Sequence, residues 1–130
     1  TKKIACGVAD IASGRAKTLV LGDLNPLRDW GYAPDYVQAM WLMLQQSEPA
    51  DYVIATGETH TVREFVAAAF AAADLEWWHC VEQDPTLLRP AEVAQLCGDA
   101  SMAHVKLGWT PTVSFRELVT CMVQHELGQR

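Results

Sequence analysis

Two short stretches of the sequence set charged residues among apolar or turn-forming neighbours. They are Arg28-Asp29-Trp30 with Asp35 close behind, and Arg89-Pro90 with Glu92. A guanidinium presents a planar fork of donors that fits a phosphate, and a tryptophan beside it supplies a rigid apolar wall, so anion binding is a natural use. The same residues also have a purely structural reading. Arg28 can pair with Asp29 or Asp35, and Arg89 with Glu92 three positions on, at a helix start. Composition and spacing do not choose between these.

Other chemistry lacks its parts. The eight glycines, at 7, 14, 22, 31, 57, 98, 108 and 128, form no GxGxxG or GxxGxxG loop and no P-loop. No Tyr is followed four residues later by Lys, and no GxSxG elbow is present. Cys6, Cys80, Cys97 and Cys121 make no CxxC pattern and read as buried free thiols. His60, His79, His104 and His125 include no HxxxH pair, so no metal site is expected. No catalytic residue and no cofactor-binding residue is assigned to this chain.

At 130 residues and 50% hydrophobic composition, positions 1–130 fit one domain with an ordinary apolar core. Ten basic residues face sixteen acidic ones, for a net charge of −6, and no Lys/Arg cluster exists to neutralise a row of phosphates. Nucleic acid is therefore not an expected partner. No apolar run approaches the ~18 to 20 residues of a membrane helix, and Thr-Lys-Lys-Ile begins no signal core. The expectation is a soluble, cytoplasmic protein that binds no membrane. Thr1 in place of Met hints at residues once preceding it.

The elements that must position these groups follow from periodicity. Ile4, Val8, Ile11 and Ala12 predict a helix over about 2–13 that Gly14 closes, and Thr18–Leu21 predicts a strand. Between Asp35 and Gln46 apolar residues fall on nearly every face, which predicts a mostly buried helix. Tyr52-Val53-Ile54-Ala55 is a continuous apolar run, the pattern of a strand inside a sheet and covered on both faces. Thr61 with Glu64, and Ser114 with Glu117, form capping boxes ahead of two further helices. Leu75–Val81 reads as a strand and 99–107 as a short helix stopped by Gly108. The alternation of helices with short strands is an α/β pattern.

Longer strings then carry a resemblance. Leu21-Gly22-Asp23-Leu24-Asn25-Pro26-Leu27-Arg28-Asp29-Trp30-Gly31 resembles the LGNLDAxRDWG segment of GDP-mannose 4,6-dehydratases. Residues 35–46 resemble DYVEAMWLMLQ, 53–65 resemble VIATGExHSVREF, and Arg89-Pro90-Ala91-Glu92-Val93 is similar to RPxEV. Gly98-Asp99 and Leu107-Gly108-Trp109 with Pro111 are similar to strings near the end of extended short-chain dehydrogenases. Lys2 stands where the family has Arg, Asp23 where it has Asn, and Leu88 where an aromatic residue precedes RP.

The resemblance implies an α/β fold: a substrate-binding C-terminal lobe, mostly helical with short strands, without the complete Rossmann half. It implies that NADP is held by that other half, and that the whole enzyme oxidises C4 of GDP-mannose, eliminates water across C5 and C6, and returns the hydride. For this chain it implies substrate-binding roles for Lys3, Arg28, Arg89 and Glu92. Arg28 would lie near the nucleotide phosphates, and Arg89 and Glu92 near the nucleoside, whose guanine N–H edge suits a carboxylate. The expected partners are GDP-mannose or a related sugar nucleotide, a separate Rossmann-domain protein, and a second copy of the chain. The alternative is a truncated, non-catalytic interaction or assembly module with no nucleotide ligand.

Overall fold

The computed structural model describes residues 1–88 and 91–129. Its elements in chain order are α1 (Lys2–Ala12), β1 (Leu19–Leu21), β2 (Leu27–Arg28), α2 (Ala33–Leu44), β3 (His60–Thr61) and α3 (Val62–Ala71). A 3₁₀ turn (Trp77–His79), β4 (Val81–Gln83) and a second 3₁₀ turn (Pro85–Leu87) follow, then β5 (Gln95–Leu96), α4 (Ser101–Leu107) and α5 (Phe115–Gly128). The fold is α/β, mostly helical with short strands.

Three helices make the larger core. α1 buries Ile4, Ala5, Val8 and Ala9 along one stripe, and it packs on α3 and α5, which contribute Phe65, Val66, Ala69, Phe70, Val119 and Val123. Leu19 and Leu21 of β1 and Leu24 close the layer. β1 pairs in parallel with β4, Leu19 opposite Val81. Both expected capping boxes form, with the Thr61 and Ser114 hydroxyls accepting from the backbone N–H of Glu64 and Glu117 and the two carboxylates answering at the cap residues. A buried carboxylate joins the chain's ends: Glu126 accepts from Lys2 Nζ at 2.6 Å and from Cys6 Sγ at 3.3 Å.

A second, smaller core sits between α2 and α4, built on Ala39, Ala103, Leu107 and Trp109. Gly108, at φ +65, turns the chain out of α4 in the left-handed conformation that its sequence position called for. Between the two cores runs a three-stranded sheet in the order β3-β2-β5. β2 is antiparallel to β3, Arg28 opposite His60, and parallel to β5, Arg28 opposite Leu96.

Four expectations are corrected. α2 is not mostly buried: of its residues only Asp35 and Ala39 are, while Val37, Met40, Trp41 and Leu44 are all more than half exposed, because α4 and Trp109 cover one side alone. Residues 52–55 form no strand among the described residues: the Gly98 backbone passes close to Ala55 but no ladder of hydrogen bonds joins the two segments, and only Ala55 is buried. The segment expected as a strand over 75–81 turns instead. Asp74 takes a left-handed φ of 55, Trp77 packs on the core with the Arg63 guanidinium 5.6 Å from its ring centre, and the strand begins only at Val81. The cysteines are free but not buried: Cys6 and Cys80 are half-buried, Cys97 and Cys121 exposed. No helix of the described residues is long and apolar enough to cross a membrane.

Unfolding in urea should rank these contributions. Thr61→Ala is expected to lower stability by about 1 kcal/mol through the lost cap, and Phe65→Ala by about 3 to 5 kcal/mol through the cavity it leaves; a Thr61→Ala loss as large as that of Phe65→Ala would contradict this order.

Candidate functional site

Each of the consecutive residues Arg28, Asp29 and Trp30 is committed to a different neighbour. Trp30 reaches the larger core, edge-on to Phe65 at 5.1 Å and stacked on Phe115 at 6.0 Å between ring centres. Asp29 turns to the 56–57 loop. Its Oδ1 accepts from Thr56 N at 2.9 Å and Thr56 Oγ1 at 2.6 Å, and its Oδ2 from Gly57 N at 3.0 Å and Gly98 N at 3.3 Å. Arg28 is fixed from its own side. Nη1 donates to the carbonyls of Leu27 at 2.7 Å and Val93 at 2.8 Å, and Nη2 donates to Glu92 Oε1 in an ion pair.

Beside this junction lies a hollow of about 410 Å³, within the range of small-ligand sites. Arg28, Asp29 and Tyr36 give it a polar side, and Val53, Ile54, Ala55 and Leu96 an apolar one. The hollow depends on close approach of backbones at one point: a Cβ added to Gly98 would stand 2.3 Å from the Cβ of Ala55. The Arg28 side chain is 20% exposed, so solvent reaches it. Of the five N–H donors of a guanidinium, three are engaged as above, and the Nε–H and one Nη2–H meet no protein acceptor among the described residues.

Two carboxylates set the electrostatics nearby. Burial pushes Asp29 up, but the Thr56 hydroxyl and the N–H groups of Thr56, Gly57 and Gly98 outweigh it and hold the carboxyl below its ordinary value. Asp35 follows the same logic. Its burial is outweighed by the Thr112 hydroxyl and the N–H groups of Thr112 and Val113, and its backbone carbonyl takes the Trp109 indole N–H at 2.8 Å. Burial and then the charges of Asp29 and Asp35 raise Tyr36, which keeps its phenol protonated.

The structure brings Arg28 and Glu92 together and does not bring Lys3 to them. Lys3 is exposed at the start of α1, a helix that packs on α3, α5 and β1, and among the described residues no hydrogen bond or ion pair joins it to the pair. Arg89 lies outside the described residues. The structural alternatives named from the sequence chose the wrong partners for Arg28, because Asp29 and Asp35 are taken up by backbone and threonine donors while the cross-sheet Glu92 is the carboxylate in reach. Glu92 also stands in a loop and not at a helix start. Sequence reasoning missed Tyr36 and the Asp29 and Asp35 hubs. Their signal was present, as acidic residues flanking Trp30 and Tyr36 with Thr56-Gly57 and Thr110-Pro111-Thr112 downstream, but no local spacing links residues 27 or 77 positions apart.

The chain is similar to known proteins along most of its length. The family described as GDP-mannose 4,6 dehydratase matches residues 1–122. GDP-mannose 4,6 dehydratase 1 of Arabidopsis thaliana is 50% identical over 127 residues, which cover 98% of this chain and 35% of that protein. The human GDP-mannose 4,6 dehydratase is 44% identical over 144 residues, covering 98% and 39%. Among solved structures, RMD from Pseudomonas aeruginosa complexed with NADPH superposes with a TM-score of 0.89 at 23% identity, over 99% of this chain and 42% of that one; it shows a shared fold. The chain thus spans between a third and two fifths of the length of these two curated relatives.

The depressed Asp29 and Asp35 carboxyls fix a pH dependence. Their stabilisation is complete above the unfolded value of about 3.9 and is lost as pH falls through the lower folded values. Urea midpoints should therefore fall as pH drops below about 4, and Asp35→Asn should lower the midpoint at pH 7 while flattening the acid slope. An unchanged slope in Asp35→Asn would contradict the assignment.

Proposed function

The chain belongs to the GDP-mannose 4,6-dehydratase family, and from that premise we propose that residues 1–130 form a sugar-nucleotide-binding lobe, one that supports dehydration only together with a dinucleotide-binding half. The proposed ligand is GDP-mannose or a related GDP-sugar. The observation that carries this reading is Arg28: a solvent-reachable guanidinium, anchored on two carbonyls, with two donors that meet no acceptor among the described residues, on the polar side of a hollow whose other side is apolar, as a nucleoside needs. Arg28 is assigned to the diphosphate, and Glu92 and Arg89 to the nucleoside. Lys3 is assigned to the ligand only where the sugar end extends toward α1.

In this reading NADP is held by the dinucleotide-binding half. A pyrophosphate needs open backbone N–H groups where a strand turns into a helix. The helix that follows a strand directly, α3, has that end closed by its own capping box, with the Glu64 carboxylate on Thr61 N at 2.6 Å. α5 is closed in the same way by Glu117. The cofactor is therefore assigned to the dinucleotide-binding half, and no step of the reaction is placed on residues of this chain.

A second reading has its own support. Val37, Met40, Trp41 and Leu44 recur at i, i+3, i+4 and i+7 and stand exposed together on α2. Residues 52–55 add an apolar segment without ladder partners. In the first reading the dinucleotide-binding half covers these groups; in the second a further copy of this chain does, and the protein is an assembly module with no nucleotide.

Calorimetry with GDP-mannose separates the two. Saturable heat is expected, weakened about tenfold or more in Arg28→Ala with an unchanged circular dichroism spectrum. No heat and no thermal shift at millimolar ligand, with a dimer in sedimentation, would remove the binding reading and leave the assembly module.

A further inference from the structure

We infer that the Tyr36 hydroxyl is the group that reads the ribose of the ligand: a phosphate of a nucleoside diphosphate sits on Arg28, and the phenol hydrogen-bonds a hydroxyl of the adjoining sugar ring. This rests on the reading of the hollow as a sugar-nucleotide site and adds a basis for choosing ribonucleotides over deoxyribonucleotides. Three observations on Tyr36 argue for it.

The first is that the ring is fixed in place. α2 carries Tyr36 in its first turn, directly after the buried Asp35. The ring lies against Trp109, tilted by 60° with 6.1 Å between ring centres, and the hydroxyl lies over Gly31, where an added Cβ would stand 2.3 Å from the oxygen. The glycine leaves the room that the hydroxyl takes up. The second is that the hydroxyl, so held, has no hydrogen-bond partner among the described residues. The nearby carboxylates of Asp29 and Asp35 are already filled by threonine and backbone donors. A phenylalanine would make the same ring contact with Trp109, so packing accounts for the ring and not for the oxygen. This half-buried hydroxyl keeps its capacity to donate one hydrogen bond and to accept others for whatever enters the hollow it lines.

The third is the charge around it. Tyr36 shares the polar side of the hollow with Arg28 and Asp29, and the negative charges of both Asp29 and Asp35 reach its hydroxyl. A phosphate is drawn to the guanidinium and repelled from a place that faces two carboxylates. A neutral hydroxyl meets no such repulsion, and it can both accept from the phenol and donate to it. In a nucleoside diphosphate the group joined directly to the phosphate is the ribose, whose ring hydroxyls are neutral. With the phosphate on Arg28 the ribose comes to Tyr36, and the base faces Val53, Ile54, Ala55 and Leu96 on the apolar side. A ligand without these hydroxyls leaves the phenol's bond unmade, and a site built to hydrogen-bond a hydroxyl discriminates against the analogue that lacks it.

The test compares GDP with its dideoxy analogue, which lacks both ribose hydroxyls, by calorimetry on the wild-type chain and on Tyr36→Phe, each checked by circular dichroism. In the wild type GDP should bind about tenfold more tightly than the analogue. In Tyr36→Phe the binding of GDP should weaken by about the same factor while that of the analogue stays as it was, so that the gap between the two closes. Equal weakening of both ligands would mean that the tyrosine shapes the hollow without touching the ribose, and would overturn the inference while leaving the site. Unchanged GDP binding in the variant would overturn it as well, and so would equal binding of the two ligands by the wild type, a comparison that needs no variant to fold. If the wild type binds neither ligand at millimolar concentration, the reading of the site fails and the ribose contact falls with it.

Discussion

The carboxylate of Asp29 is the constraint on which the rest of the structure depends. It collects four hydrogen bonds from Thr56, Gly57 and Gly98, and so ties the end of β2 to the loop before β3 and to the loop after β5. A carboxylate accepts at two oxygens and donates nothing, so these donors leave it fully used and charged. The consequence for Arg28 is direct. Its sequence neighbour is unavailable as an ion-pair partner, and the guanidinium looks across the sheet to Glu92 instead. Trp30, locked against Phe65 and Phe115, fixes the same short stretch to the larger core from the other side. The three-stranded sheet thus joins two hydrophobic clusters and holds an arginine at their junction.

Asp35 performs the matching task for the smaller cluster. It binds the Thr112 N–H and hydroxyl through its side chain and the Trp109 indole through its carbonyl, so that the start of α2 and the end of α4 are held together. That leaves the outer face of α2 with nothing to pack on. Four large apolar side chains on one face of a helix are ordinary in a core and unusual on a surface. The curated relatives that match this chain are more than twice as long as the matched segment, and under the proposed function the remaining chain is what covers this face. The same explanation serves residues 52–55, which have the composition of a doubly covered strand and no ladder partner.

How much of this could be read in advance follows the reach of each signal. Capping boxes are written in four consecutive residues, and Thr61 with Glu64 and Ser114 with Glu117 formed as expected. Gly108 after α4 is equally local. What failed was inference from composition to burial. The apolar run at 52–55 and the all-round apolar pattern of α2 predict burial, but burial needs a neighbour, and neighbours are a property of the whole fold. The site was legible in part. Arg28 and Glu92 were both singled out, yet as members of separate pairs, because a contact across 64 positions leaves no periodic trace. Asp29 and Asp35 were seen only as possible counter-ions, although their greater use is to gather backbone donors from distant loops.

The account stands on Arg28 having donors to spare at a reachable hollow. The most direct measurement is nitrogen-15 NMR of the arginine side chains during titration with GDP-mannose. The account predicts that the Nε–H resonance of Arg28 shifts saturably and exchanges more slowly with water as ligand is added, with the other guanidinium resonances of the described residues, Arg15, Arg63 and Arg116, unmoved. A saturable response confined to those other arginines, or none at any of them, would contradict it.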